Sequence, residues 1–307
     1  MNTKTHVINK LCTPIYGNVF WNTYKVTLKT TLRSALFWMA FILAFAAVFY
    51  KGTQATHGYV EILQDGTITS EMIYDTDPRY VLSWDRYSQL ALNLNGSIML
   101  YAVPLFCAIT AMISLIRDHE DNMFEIEKSY NVGAARYFFG RVLAIVTITS
   151  LASLFFAFFS INYYYFTRGG LAQFTLWEYI CDSTVRILRV YFNCIVPATI
   201  NYVSVTVFMS TLFKNGIVGG IMGILYALTN YLFQHFWLRL GDFVKDHLDV
   251  TPQCLFNYWG TIGDPLFNLP QCVWITKAEM ILITSCILGA SALMLGASYF
   301  MTIKRTR

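Results

Sequence analysis

Six long uncharged runs divide this chain and constrain its fold more than any other feature. They cover residues 34–50, 87–116, 142–167, 190–213, 215–238 and 280–303. A helix that crosses a membrane needs about 20 mostly apolar residues, so each run is long enough for one crossing. The second run begins with polar residues, so we place its helix in the later part of the run. We therefore predict spans at about 34–50, 96–116, 142–166, 190–212, 216–237 and 280–302, with outer loops at 51–95, 167–189 and 238–279.

The composition supports the same class. Charged residues make up 13% of the chain, hydrophobic residues make up 56%, and the mean hydropathy is +0.47. Soluble domains carry about 25% charged residues, so this chain has too few charges to cover a soluble surface. The net charge of +4 is modest and does not indicate nucleic-acid binding.

The distribution of basic residues predicts the orientation. If both termini are cytoplasmic, the inner segments hold 13 Lys and Arg residues against 5 acidic ones, and the outer segments hold 9 against 13. Inner loops of membrane proteins carry the excess of positive charge. We expect an all-α polytopic membrane protein with six transmembrane helices and both termini inside. Only Lys214 and Asn215 separate the fourth and fifth spans, which predicts a tight helical hairpin.

An amphipathic helix is predicted at about 16–33, just before the first span. Its sequence puts aromatic and leucine side chains on one face, with basic residues beside them: Phe20, Trp21, Tyr24, Leu28 and Leu32, then Lys25, Lys29 and Arg33. This pattern is typical of a helix that lies in the membrane interface. A plain basic tail is the alternative.

The inner loop between the second and third spans carries the densest charge of the chain. Seven charged residues fall within 117–128, and five of them are acidic. A short amphipathic helix is predicted at about 118–131, ending near Gly133. One interpretation is a helix lying on lipid, but anionic lipid would repel its acids. The acids favour a docking surface for another protein.

Motifs for catalysis are missing from the sequence. It contains neither HExxH nor GxSxG, and GxxxxGK[ST] does not occur, so we expect no enzyme and no nucleotide site on this chain. The stretch 216–224 instead spaces small residues four apart, at Gly216, Gly219, Gly220 and Gly223. Such spacing lets helices approach closely, either within the chain or at a dimer seam. A disulfide between Cys254 and Cys272 is sterically allowed and stays open.

The layout resembles the membrane subunit of ABC-2 type ABC transporters, with lantibiotic and antimicrobial-peptide exporters among them. That family has six spans, cytoplasmic termini, an interfacial connecting helix and a coupling helix between spans two and three. The matching inner-loop pattern is carried by Asp118, Glu120, Asn122, Phe124, Glu125, Ser129, Val132, Arg136, Gly140 and Arg141. The turn Asn131–Gly133 departs from the family, which often has a proline there, and the first outer loop is longer.

The resemblance implies a permease without its own ATPase. Two copies of a separate ABC ATPase subunit, carrying ATP and Mg, would dock on the coupling helix through Asp118, Glu120, Asn122, Phe124, Glu125, Ser129 and Arg136. A second permease chain, identical or a sister subunit, would complete the path. The expected location is a bacterial cell membrane, as a multi-pass protein, and the expected cargo is an amphipathic or antimicrobial peptide, with a lipid nearly as compatible. The alternatives are a six-span structural or sensory protein and a secondary carrier.

Overall fold

The computed structural model describes residues 19–54, 57–64, 67–74, 103–115, 134–167, 191–240 and 277–306, together with positions 177, 180, 184 and 188. These residues form helices and one hairpin of strands. In chain order they are α1 (Val19–Leu32), α2 (Ala35–Gln54), β1 (His57–Gln64), β2 (Thr67–Tyr74), α3 (Val103–Leu115), α4 (Ala134–Thr167), a π-helical segment (Tyr191–Ile195), α5 (Val196–Phe213), α6 (Gly216–Leu240) and α7 (Lys277–Thr306).

Three helical stretches among the described residues are long and apolar enough to cross a membrane. They are Ala135–Phe156, Tyr191–Phe213 and Ile281–Thr302. The bent pair α1–α2 adds a fourth if it counts as one span, and α3 and Gly216–Leu228 are shorter apolar helices. The protein is therefore helical in its main body, with several helices compatible with a membrane. Each described helix from α2 to α7 lies at one of the uncharged runs of the sequence.

Several helices extend past the predicted spans, among them α6, which ends at Leu240, and α7, which runs from Lys277 to Thr306. The helix predicted to begin at residue 142 begins at Ala134, so Arg141 lies inside α4. The prediction ended the span at a charge, but this arginine is only 8% exposed, with one hydrogen-bond partner on α4 itself and one on α3. Likewise α2 continues past Lys51 to Gln54.

A short antiparallel hairpin lies within the segment predicted as the first outer loop. β1 pairs with β2 so that His57 is opposite Tyr74 and Gln64 is opposite Thr67. The stretch Thr67-Ile68-Thr69 is part of β2. The hairpin is an addition to the all-α prediction.

The bend between α1 and α2 is held by hydrogen bonds. The two helices meet at 67°. The Trp38 indole N–H of α2 donates to the carbonyl of Leu32 at 2.7 Å, which satisfies a carbonyl at the end of α1. The backbone N–H of Ser34 donates to the carbonyl of Thr31 at 3.0 Å. The angle of α1 is therefore fixed relative to α2.

The centre of the described bundle is formed by α3 and α5. The apolar stretch Tyr191–Phe213, which includes α5, is 67% buried. The apolar stretch Ile281–Thr302 of α7 is 17% buried, so α7 lies at the periphery. α5 packs against α4, α6 and α7. Aromatic rings tie α2 to its neighbours: Phe37 contacts Phe106 of α3, and Phe41 contacts Phe156 of α4 with ring centroids 5.0 Å apart.

The turn between α5 and α6 lies at the two residues where the sequence puts it. Lys214 adopts a left-handed conformation, with φ of 57°, and its N–H donates to the carbonyl of Ser210. The Asn215 side chain then accepts hydrogen bonds from the N–H groups of Ile217 and Val218 at 2.8 and 3.2 Å. A left-handed residue ends one helix and an asparagine cap begins the next.

Candidate functional site

The first turns of α4 carry a buried, hydrogen-bonded polar site next to the predicted inner loop. The guanidinium of Arg141 donates through Nη1 to the hydroxyl of Tyr137, one turn earlier, at 3.0 Å. Through Nη2 it donates to the backbone carbonyl of Ser114. Arg141, Tyr137 and Ser114 are all buried. A buried arginine therefore joins α4 to α3.

The position of the Ser114 carbonyl explains why a charge is tolerated here. Ser114 lies in the last described turn of α3, and its backbone carbonyl oxygen accepts from the guanidinium. A guanidinium supplies several N–H donors, so it can bind this carbonyl and the Tyr137 hydroxyl together. These charge-assisted hydrogen bonds offset part of the cost of taking the guanidinium out of water.

Gly140 brings α1 against the same turn of α4. A Cβ atom at this position would lie 2.7 Å from the backbone oxygen of Phe20 and 3.4 Å from its ring. Only a glycine leaves room for the α1 backbone at this distance. Thr27 and Thr31 of α1 are buried as well, and α1 packs along α4.

The last helix also reaches this region. The Tyr299 ring of α7 lies 5.9 Å from the Phe138 ring and 5.6 Å from the Phe139 ring, measured between centroids. Four helices thus meet where α4 begins. We call this set the α4 base cluster; its members are Phe20, Ser114, Tyr137, Phe138, Phe139, Gly140, Arg141 and Tyr299.

The cluster borders both ends of the acidic segment 116–133, which the sequence predicts to be an inner loop. Ser114 precedes residues 116–133 and α4 follows them, so Arg141 connects the two helices from which the segment extends. The predicted coupling helix at 118–131 lies outside the described residues, as do six of its docking residues: Asp118, Glu120, Asn122, Phe124, Glu125 and Ser129. The seventh, Arg136, lies on the first turn of α4 and is exposed.

The predicted glycine face of α6 packs within the chain. Gly216, Gly219, Gly220 and Gly223 are buried. A Cβ on Gly219 would lie 2.5 Å from the Cβ of Ser210 on α5, and a Cβ on Gly220 or Gly223 would clash with Met112 of α3 or Thr206 of α5. These glycines allow α6 to approach α3 and α5 closely. A seam between two chains at the same face stays a prediction.

A second polar site links α5, α6 and α7 in the bundle interior. The Asn201 amide donates to the hydroxyl of Ser291 at 3.1 Å, and the Tyr226 hydroxyl donates to the Asn201 carbonyl oxygen at 2.9 Å. Asn201 and Ser291 are buried, at 3% and 0% exposure. Hydrogen bonds between helices add specificity where the surroundings are apolar. We call these three residues the Asn201 network.

A helical irregularity precedes the Asn201 network. The segment Tyr191–Ile195 is π-helical and leads into Pro197 at the start of α5. Proline cannot donate an N–H to the preceding turn, which is a common cause of such a change in helix type. The hydroxyl of Tyr191 donates to Ser150 of α4 at 3.3 Å and fixes this segment.

The described part of the chain contains few other groups that could bind a metal ion or react. No group of three His, Cys, Asp or Glu residues there is arranged to hold a metal ion. Cys107 is a buried free thiol and Cys286 an exposed one. Cys254 and Cys272 lie outside the described residues, so the question of a disulfide between them stays open.

Sequence reasoning placed Gly140 and Arg141 in the inner-loop pattern but missed what they contact. The bond from Arg141 to Ser114 joins residues 27 apart, and the contact of Gly140 with Phe20 spans a greater separation. A tyrosine one turn before an arginine at the start of an apolar run was the local signal available. The bond from this arginine to Ser114 on α3 could be recognised only from the folded structure.

Comparison with known proteins gives no family. No protein-family model matches the sequence, and a search of curated proteins finds no significant match. The resemblance to ABC-2 permeases therefore rests on the predicted layout and the inner-loop pattern alone.

Proposed function

We propose that this chain is the membrane subunit of an ATP-driven exporter of the ABC-2 type. In this proposal it spans a bacterial cell membrane six times, with both termini in the cytoplasm. A second permease chain completes the translocation path. Two ATPase subunits bind the acidic inner segment 116–133, and they carry the ATP and Mg that this chain has no motif to bind.

The observation that carries the proposal is the α4 base cluster. A segment that receives force from a motor must be attached rigidly to the helices that move. Here Arg141 joins α3 to α4 at the roots of the acidic segment, and Gly140 allows the α1 backbone to lie against α4. A displacement of the segment would therefore move these helices together.

The Asn201 network supplies a means for the movement to reach the far helices. α5 contacts α4 directly, and Asn201 connects α5 to α6 and α7 through uncharged hydrogen bonds. Packed interfaces of this kind change between discrete arrangements rather than deforming continuously. In our proposal, closure of the ATPase pair shifts α3 and α4 first, and α5 carries the shift to α6 and α7.

A charge reversal in the inner segment tests the proposal. Full-length chain is purified with its ATPase subunit, and Glu125→Lys is compared with Glu71→Lys, a matched reversal in the hairpin segment predicted to lie outside. We expect Glu125→Lys to weaken ATPase association and transport by at least tenfold and Glu71→Lys to leave both unchanged. If transport survives ATP depletion but collapses with an ionophore, the chain is a secondary carrier and the proposal fails.

We propose an amphipathic peptide as the cargo. Among the described residues, Arg141 is the one charged side chain in the buried set, and the other buried polar groups there are hydroxyls and one amide. A bundle with so few buried charges suits a cargo with apolar surface and few charges to desolvate. Cells lacking the protein should become sensitive to such peptides. Unchanged sensitivity across a panel of antimicrobial peptides, with altered lipid export, would favour a lipid instead.

A further inference from the structure

α1 presents a row of cations on the side that faces away from the bundle. Lys25 and Lys29 lie on α1, and Arg33 follows its last residue, with its backbone N–H donating to the Lys29 carbonyl at 3.1 Å. The three are spaced four residues apart and are all exposed. Residues at this spacing lie on one face of a helix. Two large apolar side chains flank the row, Trp21 at 53% exposure and Leu32 at 42%. We call these five residues the cationic face.

The opposite side of α1 is already occupied. Thr27 and Thr31 are buried at 8% and 3% exposure, and the Phe20 backbone lies against Gly140 of α4. The hydrogen bond from Trp38 to Leu32 fixes the bend to α2. The orientation of the cationic face is therefore set by the fold, and it cannot rotate towards α4 without breaking these contacts.

The surroundings of the cationic face define what it can bind. The first acidic residue of the chain is Glu61, so neither α1 nor α2 offers a carboxylate to these cations. α2 begins at Ala35, two residues after Arg33. Its exposed side chains Leu36, Met39 and Ile42 form an apolar surface. Cations with tryptophan and leucine beside an apolar helix match the boundary between headgroups and acyl chains of a membrane.

We propose that the cationic face binds the phosphate groups of anionic phospholipids, with Trp21 and Leu32 seated among the upper acyl chains. Charge complementarity selects this occupant, because a zwitterionic headgroup offers no net negative charge to the row. Bound lipid would hold α1, and through Gly140 the start of α4, at the membrane surface. The inference requires that α2 lies in a membrane, but it does not require the exporter function.

Lipid binding to the purified full-length chain tests the inference. Delipidated protein in detergent is titrated with phosphatidylglycerol or phosphatidylcholine, and retained lipid is counted by native mass spectrometry. A cation near an anionic surface contributes about fivefold in affinity, so we expect roughly a tenfold or greater preference for phosphatidylglycerol at low salt. The triple variant Lys25→Gln, Lys29→Gln, Arg33→Gln should lose this preference, and 0.5 M salt should weaken it in the wild type, since about that concentration screens exposed charges.

Two controls keep the outcome interpretable. A charge-matched variant in the C-terminal tail, Lys304→Gln, Arg305→Gln, Arg307→Gln, should keep the preference within about twofold, which separates a site from bulk charge. The double variant Lys25→Arg, Lys29→Arg should keep it as well. Circular dichroism confirms that all variants remain helical.

Two results would overturn the inference. If the triple variant keeps the wild-type preference, the anionic lipid binds elsewhere. If the wild type shows no preference, the cationic face does not select anionic lipid. Neither result bears on ATPase association or on transport, so the fate of the exporter proposal is decided by its own experiment.

Discussion

Replacing Arg141 by alanine should loosen α3 from α4, and Cys107 offers a direct way to measure it. The change removes one charged donor and leaves the Ser114 carbonyl and the Tyr137 hydroxyl without this partner. A hydrogen bond to a charged group contributes about 1.5–3 kcal/mol, and a stranded buried polar group costs about 1–3 kcal/mol. Because loss of the desolvation cost of the guanidinium offsets part of this, we expect a net loss of about 3 kcal/mol.

The assay uses a chain in which Cys107 is the sole cysteine. Cys107 lies on α3 and is 0% exposed, so a thiol reagent reaches it only when α3 separates from its neighbours. When opening is fast relative to labelling, a loss of about 3 kcal/mol raises the labelling rate by roughly a hundredfold. Arg141→Lys keeps the charge but replaces the planar fork with a single ammonium group, and should give an intermediate rate.

The matched control is Arg136→Ala, which removes an exposed arginine from the first turn of the same helix. Its effect should stay below about 1 kcal/mol, because the polar contacts of an exposed arginine contribute little to stability. The reasoning is refuted if Arg141→Ala raises the Cys107 labelling rate less than threefold. It is also refuted if Arg136→Ala raises the rate equally.

Three further predictions use thermal unfolding in detergent and hydrogen exchange. Gly140→Ala should cost about 1–3 kcal/mol because its Cβ meets the Phe20 backbone, and Gly289→Ala, with nothing within 4 Å, should be neutral or stabilising; equal effects of the two would contradict the α1–α4 contact. Asn201→Leu should cost about 1–2 kcal/mol by breaking two interhelical hydrogen bonds, and a melting temperature like that of the exposed Ser285→Ala would argue against the network. Asn215→Ala should cost about 1 kcal/mol and speed exchange in the first turn of α6, where its cap is lost; unchanged exchange there would count against the cap.

The helices could be predicted from sequence largely because charges are rare. A gap of 17 residues or more between charges is enough to locate the described helices α2 to α7 approximately. The α5–α6 turn was predictable for the same reason, since two residues between two long runs leave room only for a tight turn. The positions of charges did not predict where α4 begins. Arg141 lies inside the helix and is buried against α3, whereas the prediction put it at the end of the span.

The candidate site was less predictable than the fold. The acidic segment and the positions of Gly140 and Arg141 stand out in the sequence, but their contacts with Phe20 and Ser114 depend on how three helices pack. The glycines of α6 illustrate the same limit. Spacing identified them as a close-packing face, and only the fold assigned that face to Ser210, Met112 and Thr206 within the chain.

The most direct test of the account is to identify what touches residue 125 in cells. A photo-cross-linking amino acid replaces Glu125 in the full-length protein, and the same substitution at Glu71 serves as the control. We predict a covalent adduct between position 125 and an ATP-binding subunit, and none from position 71. An adduct with lipid alone, or with a protein that binds no nucleotide, would contradict the assignment of this chain as an exporter subunit.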